Sequence, residues 1–162
     1  MVAAQPAPEP ARISRSRTMA ADPSSVALLL AGPAAVELWP GVRRVAGIDG
    51  RITMVAELAP PAQAALTAPL TLRARPPRRT PTAYLLRFEV SGRGLPELLG
   101  NLTLHFAAAG AHNVTRATLD VDYALPAEEL LGALSVRRLL ERSATGFLDR
   151  LAAAAESRAL AA

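Results

Sequence analysis

Side chains able to carry acid–base or metal chemistry are few in this 162-residue chain, and their spacing sorts them. There is no cysteine and there are two histidines, His105 and His112. Disulfides and thiolate metal sites are therefore excluded, and a zinc site lacks ligands. The remaining titratable groups fall in stretches that alternate with apolar residues, such as Arg87-Phe88-Glu89 and Arg116-Ala117-Thr118-Leu119-Asp120-Val121-Asp122. In an extended chain, alternate residues share a face. Glu57, Arg73, Arg87, Glu89, His105, Arg116, Asp120 and Asp122 then point outward together, and the pairs Arg87/Glu89 and Arg116/Asp120 read as solvated cross-strand partners. On the opposite face only Tyr84, Tyr123 and Thr115 carry polar atoms. A tyrosine beside a second hydroxyl can polarise a carbonyl. The same hydroxyl serves equally well to satisfy a backbone group. His105 reads as a surface residue of an amphipathic strand. No acid–base set converges on the apolar side, so binding is favoured over catalysis.

The charge pattern narrows the partners. The net charge is +4, and every one of the 18 basic residues is arginine. Arginine without lysine, beside abundant Ala, Leu and Pro, is the mark of GC-rich coding. A modest charge with few aromatics argues against nucleic acid. One basic stretch stands out: Arg73, Arg75, Arg78 and Arg79 surround Pro76-Pro77 with no acid among them. It reads as a solvated hairpin, or as a contact for an anionic membrane or an acidic protein. No basic segment leads into an apolar core near residue 1, and no apolar run reaches membrane-spanning length. A bacterial cytoplasmic location is the expectation.

These side chains must be positioned by strands and one helix. Residues 1–10, with proline at 6, 8 and 10, read as a disordered tail. Ile13 to Thr18 forms a first, edge strand with Arg12, Arg15 and Arg17 facing water. Asp22-Pro23 is a helix start, with Asp22 as N-cap, and Gly32-Pro33 ends that helix. A second short helix, Ala34 to Leu38, leads into Trp39-Pro40-Gly41. Strands follow at Val42–Ile48 and Arg51–Leu58, joined by the hairpin dipeptide Asp49-Gly50. Further strands run through Leu70–Arg75, Tyr84–Val90, Leu102–Phe106 and Thr115–Tyr123, with a turn at Pro76–Arg79. From Pro126 to about Ala159 the pattern is helical. Leu130, Leu131, Leu134, Leu139, Leu140, Phe147, Leu148 and Leu151 share one side, and Glu128, Arg137, Arg138, Glu141, Arg142 and Asp149 lie largely on the other. Gly132 and Gly146 interrupt this helix at about 1 kcal/mol each relative to Ala. That expense points to close approach of a neighbour or to space kept for a ligand.

Together these elements predict an α+β chain with one domain over residues 11–160. Short links between alternating strands make neighbours antiparallel with one dry face, and the final helix is the apolar surface available to cover it. The expected architecture is a helix-grip: a curved seven-stranded antiparallel sheet wrapped around the long C-terminal helix, with two short helices between strands 1 and 2.

This order of elements resembles the START-like, or SRPBCC, superfamily. Leu38-Trp39-Pro40-Gly41-Val42 is similar to the step before the second strand in its polyketide-cyclase and carbon monoxide dehydrogenase subunit-G-like branches. Gly132-Ala133-Leu134, with Phe147 and Leu148, is similar to their closing helix. The resemblance covers about residues 11–160. It implies an apolar cavity between sheet and helix, holding a lipophilic small molecule with no cofactor. The matching cavity positions are Trp39, Met54, Leu72, Tyr84, Leu86, Phe88, Leu104, Phe106, Leu119, Val121, Tyr123, Gly132, Leu139 and Phe147, each of which is also a natural core position. The expected function is non-catalytic binding of that ligand. The alternatives are a polyketide cyclase or aromatase acting through Tyr84 or Tyr123, and an interaction module using the arginines around Pro76-Pro77.

Overall fold

The computed structural model describes residues 11–48, 51–57, 67–92, 97–106, 113–124 and 133–161. Strand β1 (Ala11–Met19) is followed by helix α1 (Pro23–Ala31) and a 3-10 helix (Pro33–Leu38). Then come β2 (Val42–Ile48), β3 (Arg51–Glu57), β4 (Thr67–Ala74), β5 (Arg78–Arg79), β6 (Ala83–Gly92), β7 (Leu98–Phe106) and β8 (Thr115–Tyr123). Helix α2 (Ala133–Ala161) closes the chain. The local signals act as their chemistry requires. Asp22 caps α1 through Oδ2, which accepts from the Ser25 amide at 3.2 Å, with Pro23 in the first turn. Gly32 ends α1, and its amide donates to the Leu29 carbonyl at 3.4 Å. Pro33 restarts the chain as the expected second short helix, wound as a 3-10 helix over Pro33–Leu38, since six residues between two caps suit the tighter winding.

All strand pairs are antiparallel, in the order β1-β8-β7-β6-β4-β3-β2, with β5 pairing β6 off that path. The expected helix-grip is present, and β5 is the one strand beyond the expected seven. It arises because Pro76 and Pro77 have no N–H to give and break the ladder after Ala74, whereupon Arg78 and Arg79 pair with Leu85 and Tyr84. The chain therefore reverses not over Pro76–Arg79, as expected, but at Thr80–Ala83, where the Thr80 amide donates to the Ala83 carbonyl at 2.8 Å. Register aligns the two faces across the sheet. Ile13, Val121 and Gly100 lie on one row, and Leu119, Leu102 and Leu86 on the next, all facing α2. Asp122, Leu99 and Glu89 share the convex side. The Asp49-Gly50 hairpin dipeptide, Pro126, Glu128, Glu129 and the expectations over residues 125–132 lie outside the described residues.

Helix α2 packs on β1, β8, α1 and the 3-10 helix. Ala144, Phe147, Leu148, Leu151, Ala152 and Ala155 are buried, at spacings of three and four that make one stripe. They meet Ile13, Met19, Leu104, Ala117 and Leu119, all at most 2% exposed, and Val26 and Ala27 of α1 complete the cluster. Thr115, the one buried polar side chain among the described residues, donates its hydroxyl to the Ala21 carbonyl at 2.6 Å.

Two expectations are corrected here. Arg15 and Arg17 do not simply face water: they sit on the helix-facing side of the edge strand and reach α2, where Arg15 pairs with Glu141 at 3.4 Å and Arg17 pairs with Asp149. Alternation decides this, because they share a face with Ile13 and Met19. Such half-exposed pairs contribute about 0.2–1 kcal/mol each, so they align the helix more than they hold it. Further along, the Ala20 amide donates to Glu156 at 3.0 Å. Nor are Arg87/Glu89 and Arg116/Asp120 partners; each pair shares one strand, and among the described residues the ion pair on that face is Arg12–Asp122 at 3.0 Å.

Gly146 shows why α2 tolerates a glycine. A Cβ built there would lie 2.5 Å from Cγ of Pro40, so the close neighbour is the Trp39-Pro40 turn. In an open helix, Gly→Ala stabilises by about 1 kcal/mol. Here Gly146→Ala is expected to reverse sign and destabilise by about 1–3 kcal/mol through overpacking, read from denaturant midpoints.

Candidate ligand-binding face

The helix-facing side of the sheet is not uniformly covered. Under α1 and α2 it is dry: Leu104 and Leu119 are fully buried, and Leu102, Val121 and Tyr123, with Phe147 of α2, are nearly so. Across the middle strands, Tyr84, Leu86 and Phe88 of β6, with Leu98 and Phe106 of β7, remain only half-buried although they face the same way. Trp39 from the turn and Leu139 from α2 are half-buried too. Leu72 lies in a second, smaller cluster with Val36 and Val90. Met54 is placed in β3 opposite Leu70; its side chain, like Gly132 as a whole, lies outside the described residues.

Aromatic contacts organise the half-open part. The Trp39-Pro40-Gly41-Val42 turn has proline second and, third, a glycine at φ 72°, closed by the Val42 amide on the Trp39 carbonyl at 3.1 Å. This is the pattern of a type II turn, which needs a residue free to take positive φ at that position. The turn lays the Trp39 indole on the Phe147 ring, centroids 4.4 Å apart and 21° from parallel, and sets it edge-on to Phe88 at 5.8 Å and 69°. Arg150 adds a long contact to the Glu37 carbonyl at 3.5 Å. Phe88 lies flat over Gly100 of β7: a Cβ at Gly100 would fall on its ring. Cross-strand covering of a glycine by an aromatic ring is a known way to pin register. A second pair, Tyr84 and Phe106, meets edge-to-face at 5.2 Å, with the Arg79 guanidinium above both.

Polar chemistry lies elsewhere. Glu89, His105, Asp120 and Asp122 are on the convex face, in register positions opposite those of the apolar rows. Among the described residues, no group of three His, Cys, Asp or Glu is placed to hold a metal ion. A convex depression of about 240 Å³ is lined by Arg73, Arg75, Arg87, Glu89, Asn101 and Asp122, with the exposed side chain of Leu99. A wider groove of about 480 Å³ runs between β1 and α2, lined by Arg15, Arg138, Glu141, Arg142, Thr145 and Asp149. The four arginines around Pro76-Pro77 therefore do not form one patch. Arg73 and Arg75 line the convex depression, and Arg79 turns to the opposite face over Tyr84.

Val90, Leu98 and Gly100 belong to this face and were not among the expected cavity positions, and Arg79, expected only as part of a basic surface contact, lies at its rim. Val90 and Leu98 continue the alternation of Tyr84 and Leu102, so their signal was present. Gly100 and Arg79 depend on a ring lying across a neighbouring strand and on an irregular ladder, neither of which periodicity records.

No protein-family model matches the sequence, and no curated protein sequence matches it. Solved structures do. A Streptomyces sp. R1128 aromatase/cyclase, Zhui, superimposes with a TM-score of 0.65 at 17% identity, covering 93% of this chain and 96% of its own. A START superfamily protein from Mycobacterium smegmatis gives 0.63 at 12% identity, covering 90% and 97%. A protein from Thermus thermophilus gives 0.62 at 17%, covering 93% and 98%. The chain has the START-like helix-grip fold. At these identities the likeness carries the fold alone, so what the START-like scaffold does here must come from its own residues. No described helix is long and apolar enough to cross a membrane.

If Phe88 is held by Gly100, a methyl group there must displace the ring. Gly100→Ala is expected to destabilise by about 1–3 kcal/mol and to shift Trp39 emission, since Phe88 packs on the indole. Denaturation followed by both circular dichroism and tryptophan fluorescence reads the two effects together.

Proposed function

We propose that residues 11–160 form a binding domain for a hydrophobic small molecule, held without chemical change between the middle strands and α2. The observation that carries this is the row Tyr84, Leu86, Phe88, Leu98 and Phe106, which faces the interior yet remains half-buried while the neighbouring rows are sealed. Ligand sites are concave, largely apolar and largely preformed, and an aromatic–aliphatic wall closed on one side by Trp39 fits that description. Among the described residues, Glu89, His105, Asp120 and Asp122 lie on the far face of the sheet, and no carboxylate or imidazole alternates onto the wall's face in β6, β7 or β8. Localisation in the cytoplasm is part of the same proposal.

One observation favours a second reading. Tyr84 lies in the half-open part of a fold shared with an aromatase/cyclase, whereas Tyr123 is buried. A cyclase-type reaction would use Tyr84, and Tyr84→Phe would then abolish turnover with little change in melting temperature.

The binding reading is tested with the uncharged probe N-phenyl-1-naphthylamine. Saturable enhancement of its emission is expected, at one probe per chain. Leu86→Trp, which adds bulk to the middle of the wall, is expected to weaken binding by at least about tenfold, a loss of roughly 1.4 kcal/mol, with an unchanged far-ultraviolet spectrum. A wild-type chain that produces no enhancement at any probe concentration below its solubility overturns the proposal.

A further inference from the structure

In β4 the side chains alternate, with Arg73 opposite Glu89 on the convex side and Leu72 and Ala74 opposite Val90 and Phe88 on the concave side. Continued unbroken, that alternation sends Arg75, Pro77 and Arg79 to the convex face together. The pairing with β6 shows that it is broken. The Arg75 amide donates to the Arg87 carbonyl at 2.9 Å, yet Arg78 is opposite Leu85. Three residue steps on one strand against two on the other is a β-bulge, and it falls at Pro76-Pro77, where the ladder has no donors to lose. One inserted residue exchanges the faces. Arg78 goes to the convex side with Leu85, and Arg79, opposite Tyr84, comes to the concave side.

There the Arg79 guanidinium carbon lies 5.6 Å from the Phe106 ring centre and 6.0 Å from that of Tyr84. The turn beside it is pinned. Thr80 Oγ1 accepts from the Ala83 amide at 3.0 Å, the Thr80 amide donates to the Ala83 carbonyl at 2.8 Å, and the Phe106 amide donates to the Thr82 carbonyl at 2.9 Å. Among the described residues, the ion pairs involve Arg12, Arg15, Arg17 and Arg137, and none involves Arg79. A guanidinium held over two aromatic rings, without an acid, keeps its edge N–H groups available. Those groups match a carboxylate or phosphate bidentately, and the aromatic rings support the cation from below.

We propose that Arg79 anchors the anionic group of an amphipathic ligand whose apolar body lies along Tyr84, Leu86 and Phe88. This rests on the concave-face binding reading and adds the ligand's class: an apolar chain or ring system ending in a carboxylate or a phosphate monoester. The test is calorimetric titration of the full chain with decanoate, decyl phosphate and 1-decanol. The expected result is that one or both anions bind at least about tenfold tighter than the alcohol, the effect of a charge-assisted hydrogen bond. Which anion is preferred identifies the group recognised. Arg79→Gln is expected to remove that preference while leaving 1-decanol binding unchanged; Arg79→Lys, which keeps the charge, retains part of it. Arg78→Gln, on the convex side, is expected to leave all affinities unchanged. Equal binding of anions and alcohol, or equal losses from Arg78→Gln and Arg79→Gln, overturns the anchor while leaving the cavity reading intact. Binding of none of the three overturns both.

Discussion

The position of α2 relative to the sheet sets everything else. The helix lies along β1 and β8 at one side of the concave face, guided by Arg15–Glu141, Arg17–Asp149 and the Ala20–Glu156 contact. Small residues at Ala144, Ala152 and Ala155 let it approach closely, and burial of Leu148 and Leu151 against Ile13, Leu104 and Leu119 is the main stabilising term. A helix so placed seals the nearer rows of the sheet and leaves the middle strands to be covered by something else. The Trp39 turn covers part of them. The remainder is the half-open wall on which the proposed ligand would lie.

Two glycines make this arrangement possible from opposite sides. Gly146 admits the Pro40 ring against α2, which brings Trp39 onto Phe147; Gly100 admits the Phe88 ring against β7, which brings its edge onto Trp39. Neither glycine is needed for its backbone angles. Each removes a side chain so that a ring can occupy its place, and the rings then meet. Aromatic contacts of this geometry contribute about 0.5–1.5 kcal/mol beyond their buried area, so the group fixes the turn to the helix without filling the wall.

How much of this was legible in the sequence follows from which signals are local. Asp22-Pro23, Gly32-Pro33 and Trp39-Pro40-Gly41 are decided within a few residues, and each folds as its chemistry dictates. Alternation in Tyr84–Val90 and Thr115–Tyr123 gave the faces of β6 and β8, and with them the sheet around one helix. What alternation misses is a break in the ladder. Arg78 and Arg79 are adjacent in a basic stretch, and only the pairing across Pro76-Pro77 separates them onto opposite faces. Likewise, Arg15 and Arg17 look like solubilising charges until α2 supplies Glu141 and Asp149, more than a hundred residues away. The division of one apolar face into sealed and half-open rows is equally non-local, because it depends on where the helix lies and not on which residues are hydrophobic.

A partly exposed apolar wall carries a thermodynamic consequence. Each Å² of such surface left in water forgoes about 25 cal/mol of burial. Among the described residues, that surface lies on Tyr84, Leu86, Phe88, Leu98 and Phe106, while the adjoining rows under α1 and α2 are sealed. The proposed ligand would recover that burial and bind only the folded state, which would link binding and folding through the same surface. Arginine at the rim adds direction to that linkage. An apolar body alone gains from any orientation along the wall, whereas an anionic end gains only where Arg79 stands. In the proposed complex, the bulge at Pro76-Pro77 would give a non-directional surface a defined end.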